Sequence, residues 1–232
     1  SRAQRLAEES DGAFDVTVGP YSRLWRRARR QHALPSPERL AEAKAVAGYR
    51  NLELKPNADG KTGTVRVLKE KMQLDLGGIA KGYAADEALA VLRKAGIEQA
   101  MVAASGDMAF GEPPPGETGW RIGIAPLSAE SQEPSVYLRL ARCGVSTSGD
   151  AFQHVEIGGK RYSHIVDPRT GIGLTKQSSV TIVAKDGITA DSLATAISVT
   201  AATEKGEKGA GALLEKYPGA EMMLVRNDAG KI

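Results

Sequence analysis

The sequence has a single cysteine, Cys143, among its 232 residues. One cysteine excludes an internal disulfide and a cysteine-rich metal site, so any metal must be held by oxygen or histidine ligands. The chain also lacks an apolar run long enough to cross a bilayer, which predicts no membrane span. The formal net charge is only +3, so the overall charge does not point to a nucleic-acid partner.

Positive charge is concentrated in one place, where five arginines crowd between Arg23 and Arg30. Because the stretch offers no aromatic side chain besides Trp25 for bases to stack on, it is more typical of a solvated helix face than of nucleic-acid binding. With 41% hydrophobic and 25% charged residues, the chain can bury a real core. We expect one domain over residues 1–232.

Several common fingerprints are absent. The glycine-serine-glycine elbow of α/β-hydrolases does not occur, which argues against a serine nucleophile. The glycines at Gly77 and Gly78 match neither the dinucleotide-binding fingerprint nor the phosphate loop of nucleoside triphosphatases. The sequence therefore predicts neither a Rossmann fold nor a Walker-type fold.

Periodic patterns predict an α+β fold with a largely antiparallel or mixed β-sheet core and flanking helices. The predicted helices are Tyr21–His32, a segment from Pro37 to Gly48 with Ser36 as N-cap, Ile79–Gly96, and Ala190–Val199 with Thr189 as N-cap. The predicted strands are Thr64–Leu68, Lys71–Leu76, Gln99–Ala104, Trp120–Ala125, Val136–Leu140, Gly144–Thr147, His154–Ile157, Arg161–Val166 and Ser179–Ala184.

A candidate phosphate-binding device lies where the predicted strand ending at Leu76 runs through Gly77 and Gly78 into the next helix. A helix N-terminus offers unpaired backbone N–H groups and a partial positive charge. The glycines let a ligand approach the backbone closely, and Lys81 adds a full positive charge at the junction.

Asp191 and Thr195 stand four positions apart in a predicted helix and share one face. Their carboxylate and hydroxyl oxygens are hard ligands that suit magnesium. Spacing alone favours the plainer reading, in which Asp191 complements the helix dipole and Thr195 bonds back to a carbonyl. The presence of the other motifs favours the metal site.

His164 comes just before the turn sequence that runs from Asp167 to Gly171, so both side chains are expected near a sheet edge or loop mouth. Such a histidine can remove a proton, and a structural histidine fits the local sequence equally well.

A second hydroxyl-rich and glycine-containing loop follows a predicted strand at Ser146–Asp150. It fits binding of a phosphate or a ring edge, with a plain turn as the alternative. The triplet Ser-Gly-Asp at Ser148–Asp150 also occurs at Ser105–Asp107, by chance or as the trace of an old duplication.

Taken together, these segments resemble the ApbE-type flavin transferases, the FAD:protein FMN transferases. Four blocks occur in the order of that family, and Phe14–Pro20 resembles an early segment of it; the blocks are Asp75–Asp86, Ser146–Asp150, His164–Gly171 and Ala190–Ala196. The resemblance extends over nearly the whole chain. We expect an N-terminally shortened form, without the family's export signal, lipid-modified cysteine and first methionine-glycine-threonine strand.

The resemblance implies that FAD is the substrate, that Mg²⁺ bridges its diphosphate, and that a threonine or serine hydroxyl of a target flavoprotein attacks the FMN phosphorus and releases AMP. It implies that Asp191, Thr195 and a backbone carbonyl near Ala80 hold the metal. His164 is the implied base, with Asp167 shaping the pocket beside it. The implied contacts to FAD are Gly78, Lys81, Ser148, Gly149 and Asp150.

Two alternatives to flavin transfer keep the same cofactor. Water could replace the acceptor, giving a Mg²⁺-dependent FAD pyrophosphatase that yields FMN and AMP, or the chain could bind FAD without turnover. The resemblance also implies a periplasmic location with association to the inner membrane.

Overall fold

The computed structural model describes residues 1–59, 62–127, 133–134, 136–150 and 153–227. In these residues the α-helices are α1 (Arg2–Glu9), α2 (Gly19–Gln31), α3 (Pro37–Val46), α4 (Ala80–Lys94), α5 (Gly187–Ala201) and α6 (Gly206–Leu214). The strands are β1 (Leu52–Pro56), β2 (Gly63–Val67), β3 (Met101–Ala104), β4 (Asp107–Phe110), β5 (Trp120–Ile124), β6 (Val136–Leu140), β7 (Gly144–Gly149), β8 (His154–Ile157), β9 (Lys160–Ser163), β10 (Val166–Asp167), β11 (Ile172–Gly173), β12 (Ser178–Ala184) and β13 (Glu221–Arg226).

The strand pairs among the described residues are antiparallel. The largest sheet has five strands in the order β13-β12-β7-β4-β3. Two-stranded sheets are formed by β1 with β2, β5 with β6, β8 with β9, and β10 with β11. The predicted α+β fold with a largely antiparallel core is confirmed.

The chain divides into two compact units. The first unit contains the described residues of segments 1–76 and 154–175, and the second unit those of segments 77–153 and 176–232. The expectation of one domain over residues 1–232 stays a prediction.

The first unit packs α2 on the β8–β9 hairpin. Trp25 and Tyr162 are buried with their ring centroids 5.2 Å apart. The indole Nε1 of Trp25 donates a 2.8 Å hydrogen bond to the carbonyl of Gly171. The five arginines of α2 are exposed, as the interpretation of a solvated helix face requires.

The second unit packs two helices on the five-stranded sheet. The helix α4 packs on β3 and β4, α5 packs on β7 and β12, and the two helices pack against each other. Of the residues in α5, only Ile188 and Thr195 are not fully buried. A helix enclosed on nearly all sides needs small or apolar residues around its circumference, and the alanines of α5 supply them.

One predicted strand, Lys71–Leu76, is wrong, and with it the idea of a strand leading into Gly77. The strand β2 pairs instead with β1, which the sequence patterns did not predict. The backbone around Gln73 is bonded to a different segment: the carbonyl of Gln73 accepts from the N–H of Gly19, and the N–H of Asp75 donates to Val16. These non-local bonds replace a strand ladder.

The predicted N-cap Thr189 is also wrong. The helix α5 begins at Gly187, and Asp186 is the N-cap, whose carboxylate accepts a 3.0 Å hydrogen bond from the N–H of Thr189. Aspartate and threonine both serve well at N-caps, so the sequence alone did not distinguish a start three residues earlier. The elements β4, α6 and β13 were not predicted.

In the part of the chain that the structure describes, no helix has both the length and the apolar character needed to cross a membrane.

Candidate functional site

The start of α4 lies directly against α5. Gly78 packs on Thr195, and a Cβ at position 78 would stand 2.9 Å from the Thr195 hydroxyl oxygen. Ile79, the N-cap of α4, makes no side-chain capping bond. The N–H of Gly82 donates instead to the Asp191 carboxylate at 3.0 Å, so a side chain of α5 caps the first turn of α4.

The capping is reciprocal. Asp86, one turn further along α4, accepts hydrogen bonds from the N–H groups of Gly187 and Ile188 at 2.7 and 2.8 Å. The backbones approach so closely that a Cβ at Gly82 would lie 2.1 Å from the Gly187 carbonyl oxygen. Each helix start is therefore bound by a carboxylate of the other helix, which fixes the position of Asp191 relative to α4.

Lys81 lies between two buried carboxylates. Its ammonium hydrogen-bonds Asp107 and stands 3.7 Å from Oδ1 of Asp191. Asp107 is 3% exposed and Asp191 is 1% exposed. The cluster carries one positive and two negative charges, so the ammonium alone does not balance it.

Burial and the neighbouring charges together shift the pKa values of Asp191 and Lys81. Burial, followed by the negative charge of Asp107, raises the pKa of Asp191 to about 6, against the opposing effects of the Gly82 N–H and Lys81. Burial lowers the pKa of Lys81, but its bond to Asp107 and the charges of both carboxylates outweigh that effect and raise the pKa overall. Additional positive charge beside Asp191 would stabilise its ionised form.

Asp107 was not predicted as a site residue, and its partner Ser146 was noted only as part of the segment Ser146–Asp150. Ser146 lies in β7, and its hydroxyl donates to Oδ1 of Asp107, the first residue of the neighbouring strand β4. The only sequence signal was the repeated Ser-Gly-Asp triplet. The first copy of this triplet forms a hairpin turn in which Ser105 and Gly106 have positive φ, and Asp107 follows this turn as the first residue of β4.

Thr195 differs from the other hydroxyl residues of α5. Ser198 and Thr200 bond back to carbonyls one turn earlier at 2.8 and 2.9 Å, which is the plainer role considered for Thr195. The Thr195 hydroxyl instead lies 3.3 Å from the hydroxyl of Ser148 in β7. Two hydroxyls and the Gly78 backbone thus meet at one of the few places where α5 is not fully buried.

Gly149 and Asp150, the last two residues of the segment Ser146–Asp150, contact the strand β12. Gly149 pairs with Ser179. Asp150 is 2% exposed and accepts a 3.3 Å hydrogen bond from the N–H of Ser178. The predicted contacts of Ser148, Gly149 and Asp150 with FAD stay predictions.

His164 and Asp167 belong to the first unit, whereas the other predicted site residues belong to the second. His164 is exposed and follows β9 directly. Asp167 binds the Arg169 guanidinium through two hydrogen bonds of 2.8 and 2.9 Å and accepts a third from the Arg169 N–H at 3.0 Å. The bond to Asp167 raises the pKa of Arg169. This pair was not predicted from the sequence.

The turn after Asp167 is held rigidly. Gly171 has a φ of +74°, and a Cβ there would stand 2.4 Å from the buried ring of Tyr21. Its N–H donates to the Asp167 carbonyl at 2.8 Å, and its own carbonyl accepts from Trp25. Only glycine satisfies both the backbone angle and the space.

The residues described form no group of three or more histidine, cysteine, aspartate or glutamate side chains suited to a metal. The predicted metal ligands are not such a group, because they combine the Asp191 carboxylate with the Thr195 hydroxyl and a backbone carbonyl near Ala80. These oxygens are hard ligands, and a cation beside the buried Asp191 carboxylate would stabilise its ionised form. The donor chemistry therefore fits Mg²⁺.

Comparison with known proteins agrees with the resemblance. Residues 1–224 match the sequence model described as the ApbE family. The FAD:protein FMN transferase of Treponema pallidum is 33% identical over 98% of this chain and 64% of that protein. The FAD:protein FMN transferase of Haemophilus influenzae is 32% identical over 99% of this chain and 66% of that protein.

Solved structures are similar as well. The ApbE protein of Thermotoga maritima superposes with a TM-score of 0.82 at 35% identity, covering 97% of this chain and 71% of that one. The flavin transferase ApbE from Vibrio cholerae gives a TM-score of 0.82 at 31% identity, covering 98% and 70%. This chain spans less than two thirds of the length of the curated relatives described above.

Proposed function

Because this chain belongs to the ApbE family, we propose that it transfers the FMN moiety of FAD to a threonine or serine hydroxyl of a target flavoprotein and releases AMP. Relatives that carry the name FAD:protein FMN transferase align with 98–99% of the chain. FAD and the target flavoprotein are thus the proposed partners.

The observation that carries the proposal is the convergence of α4 and α5 in the second unit. A glycine-led helix start, the Lys81 ammonium, the Asp191 carboxylate and the Thr195 hydroxyl lie together there. Helix starts and lysines bind phosphate oxygens, and a diphosphate is the part of FAD that is cut in the proposed reaction.

We assign Mg²⁺ as the cofactor, held by Asp191 and Thr195 with the backbone carbonyl of Ala80. When bound, Mg²⁺ neutralises negative charge on the diphosphate oxygens. Lys81 adds its own positive charge there, and its side chain is 42% exposed to solvent. Gly78 allows the close approach of the nucleotide, and Ser148 offers a hydroxyl beside Thr195.

The chemical step needs an alignment of groups more than covalent help from the protein. The acceptor oxygen forms a bond to the FMN phosphorus, the bond from this phosphorus to the bridging oxygen breaks, and AMP leaves with that oxygen. His164 takes the proton of the acceptor hydroxyl. Asp167, through its bonds to Arg169, holds the turn that follows His164.

The test is incubation of the protein with FAD, Mg²⁺ and a peptide that carries a candidate acceptor threonine, followed by mass spectrometry. A mass increase equal to FMN less one water on the peptide, lost in Asp191→Asn and kept in Glu87→Gln, supports the proposal. Glu87 is an exposed carboxylate on the same helix as Lys81, so it controls for charge alone. Release of AMP without any acceptor would instead identify a pyrophosphatase, and FAD binding without turnover a binding module.

We further propose the location that the family resemblance implies, which is the periplasm with association to the inner membrane. Fractionation of cells that express the protein from its natural gene tests it, and recovery in the cytosolic fraction would contradict it.

A further inference from the structure

Three charged side chains of the second unit share one small region but differ in their access to solvent. The side chains of Asp107 and Asp191 are only 4% and 2% exposed, whereas that of Lys81 is 42% exposed. Lys81 is thus the only one of the three residues whose side chain is substantially exposed.

Asp107 holds the ammonium from the buried side. One of its oxygens accepts from Lys81, and the other accepts from the Ser146 hydroxyl. The residue is fixed further by its place at the start of β4, directly after a tight turn. A carboxylate fixed on both oxygens can direct a flexible lysine to one position.

We propose that Asp107 is a positioning residue that holds Lys81 as the internal counter-cation of Asp191, so that the ammonium and a divalent cation compete for the Asp191 carboxylate. This inference rests on the proposed function, since that assigns the divalent cation to Asp191. It adds a residue, Asp107, to the site and gives Lys81 a role before FAD arrives.

The competition has a physical basis in the charge count. Two buried carboxylates close together require positive charge, and Lys81 supplies it from 3.7 Å when no metal is bound. A divalent cation that binds Asp191 meets repulsion from that ammonium and attraction from Asp107. Because the Lys81 side chain is 42% exposed, a diphosphate can approach it while Asp107 still holds the ammonium.

The inference predicts opposite effects of two substitutions on metal affinity. Lys81→Gln removes the competing charge, so the affinity for a divalent cation in the absence of FAD should rise by roughly tenfold. Asp107→Asn removes a negative charge that attracts the divalent cation. It also leaves Asp191 as the only carboxylate that pairs with the Lys81 ammonium, so the affinity for the cation should fall by roughly tenfold. A residue that only supports the fold would lower the affinity in both variants.

The experiment is a titration of the protein with Mn²⁺ monitored by electron paramagnetic resonance of the free ion, without FAD. Lys94→Gln and Glu87→Gln serve as matched controls, because both are exposed charges on α4 and should leave the affinity unchanged. Tighter binding in Lys81→Gln together with weaker binding in Asp107→Asn is the expected result. Should Asp107→Asn fail to fold, the direction in which Lys81→Gln changes the Mn²⁺ affinity decides whether the ammonium and the cation compete.

Weaker or unchanged Mn²⁺ binding in Lys81→Gln overturns the inference, as does a wild-type protein that binds no Mn²⁺. The transfer assay is separate from this titration. Opposite affinity changes without any FMN transfer would leave the inference standing and remove the proposed function. FMN transfer by the wild type without any change of Mn²⁺ affinity in the two variants would leave the proposed function standing and overturn the inference.

Discussion

The carboxylate of Asp191 on α5 accepts a 3.0 Å hydrogen bond from the backbone N–H of Gly82 on α4. This one contact places a proposed metal ligand at the start of the helix that carries Lys81. It also depends on the absence of a side chain at position 82, because the two helices touch there.

Gly82→Ala should destabilise the protein by about 3 kcal/mol or more, since the added Cβ would lie 2.1 Å from the Gly187 carbonyl oxygen and force the helices apart. The control is Gly211→Ala in α6, where nothing lies within 4 Å of the added Cβ. That variant should gain about 0.5–1 kcal/mol from helix propensity. Urea unfolding measures both values, and a stabilised Gly82→Ala would show that α4 and α5 are not in close contact.

Asp86→Ala should lower the free energy of unfolding by about 2 kcal/mol, because it removes the acceptor of two backbone N–H bonds at the start of α5. Glu87→Ala, a truncation of the neighbouring exposed carboxylate, should change stability by less than about 0.5 kcal/mol. Thermal unfolding of both variants tests this. Equal stabilities would contradict the reciprocal capping.

The stability of the metal-free protein should fall as pH rises through the titration of Asp191. Its pKa is about 6 in the folded protein and 3.8 when unperturbed, so the folded state binds the extra proton between these values. The unfolding free energy of the wild type relative to Asp191→Asn should therefore decrease by roughly 3 kcal/mol from pH 3.5 to pH 7. Asparagine retains the bond from Gly82 but cannot titrate, and a relative stability that rises with pH would refute the assignment.

Gly171→Ala should be far more damaging than Gly159→Ala. Both glycines have φ near +74°, at +74° and +73°, so the backbone strain is matched at about 1 kcal/mol. Only at position 171 does a new Cβ meet another group, the Tyr21 ring at 2.4 Å, whereas position 159 is open. Denaturant unfolding should separate the two by at least about 2 kcal/mol, and equal losses would contradict the packing described for the turn after Asp167.

Local patterns predicted those elements whose signals lie within one segment. The exposed arginines of α2 and the periodicity of α4 are of this kind. So are the apolar or alternating runs of β3, β7 and β12, whereas β4 and β13 of the same five-stranded sheet were not predicted. The predicted strand Lys71–Leu76 is wrong because the backbone there is hydrogen-bonded to residues more than fifty positions earlier. No local pattern indicates such a contact. The predicted N-cap of α5 is wrong because Asp186 and Thr189 are both favourable N-cap residues and stand only three positions apart.

The candidate site shows the same division. Lys81 was predicted from its place at a glycine-led helix start. Asp191 and Thr195 were predicted from the company of the other motifs, because their four-residue spacing alone favoured a plainer role. Asp107 and Asp86 were not assigned a role, since each acts on a partner that is distant in sequence: Asp107 on Lys81, and Asp86 on the start of α5. A carboxylate whose function is to hold another element has no local signature.

The central claim is that Asp191 and Thr195 bind the metal that accompanies a diphosphate. The most direct measurement is a crystal structure of the protein with FAD and Mn²⁺, in which anomalous scattering identifies the metal. The account predicts a Mn²⁺ peak about 2.2 Å from the Asp191 carboxylate and the Thr195 hydroxyl, in contact with the FAD diphosphate. A diphosphate bound away from these two residues, or a metal peak elsewhere, would contradict it.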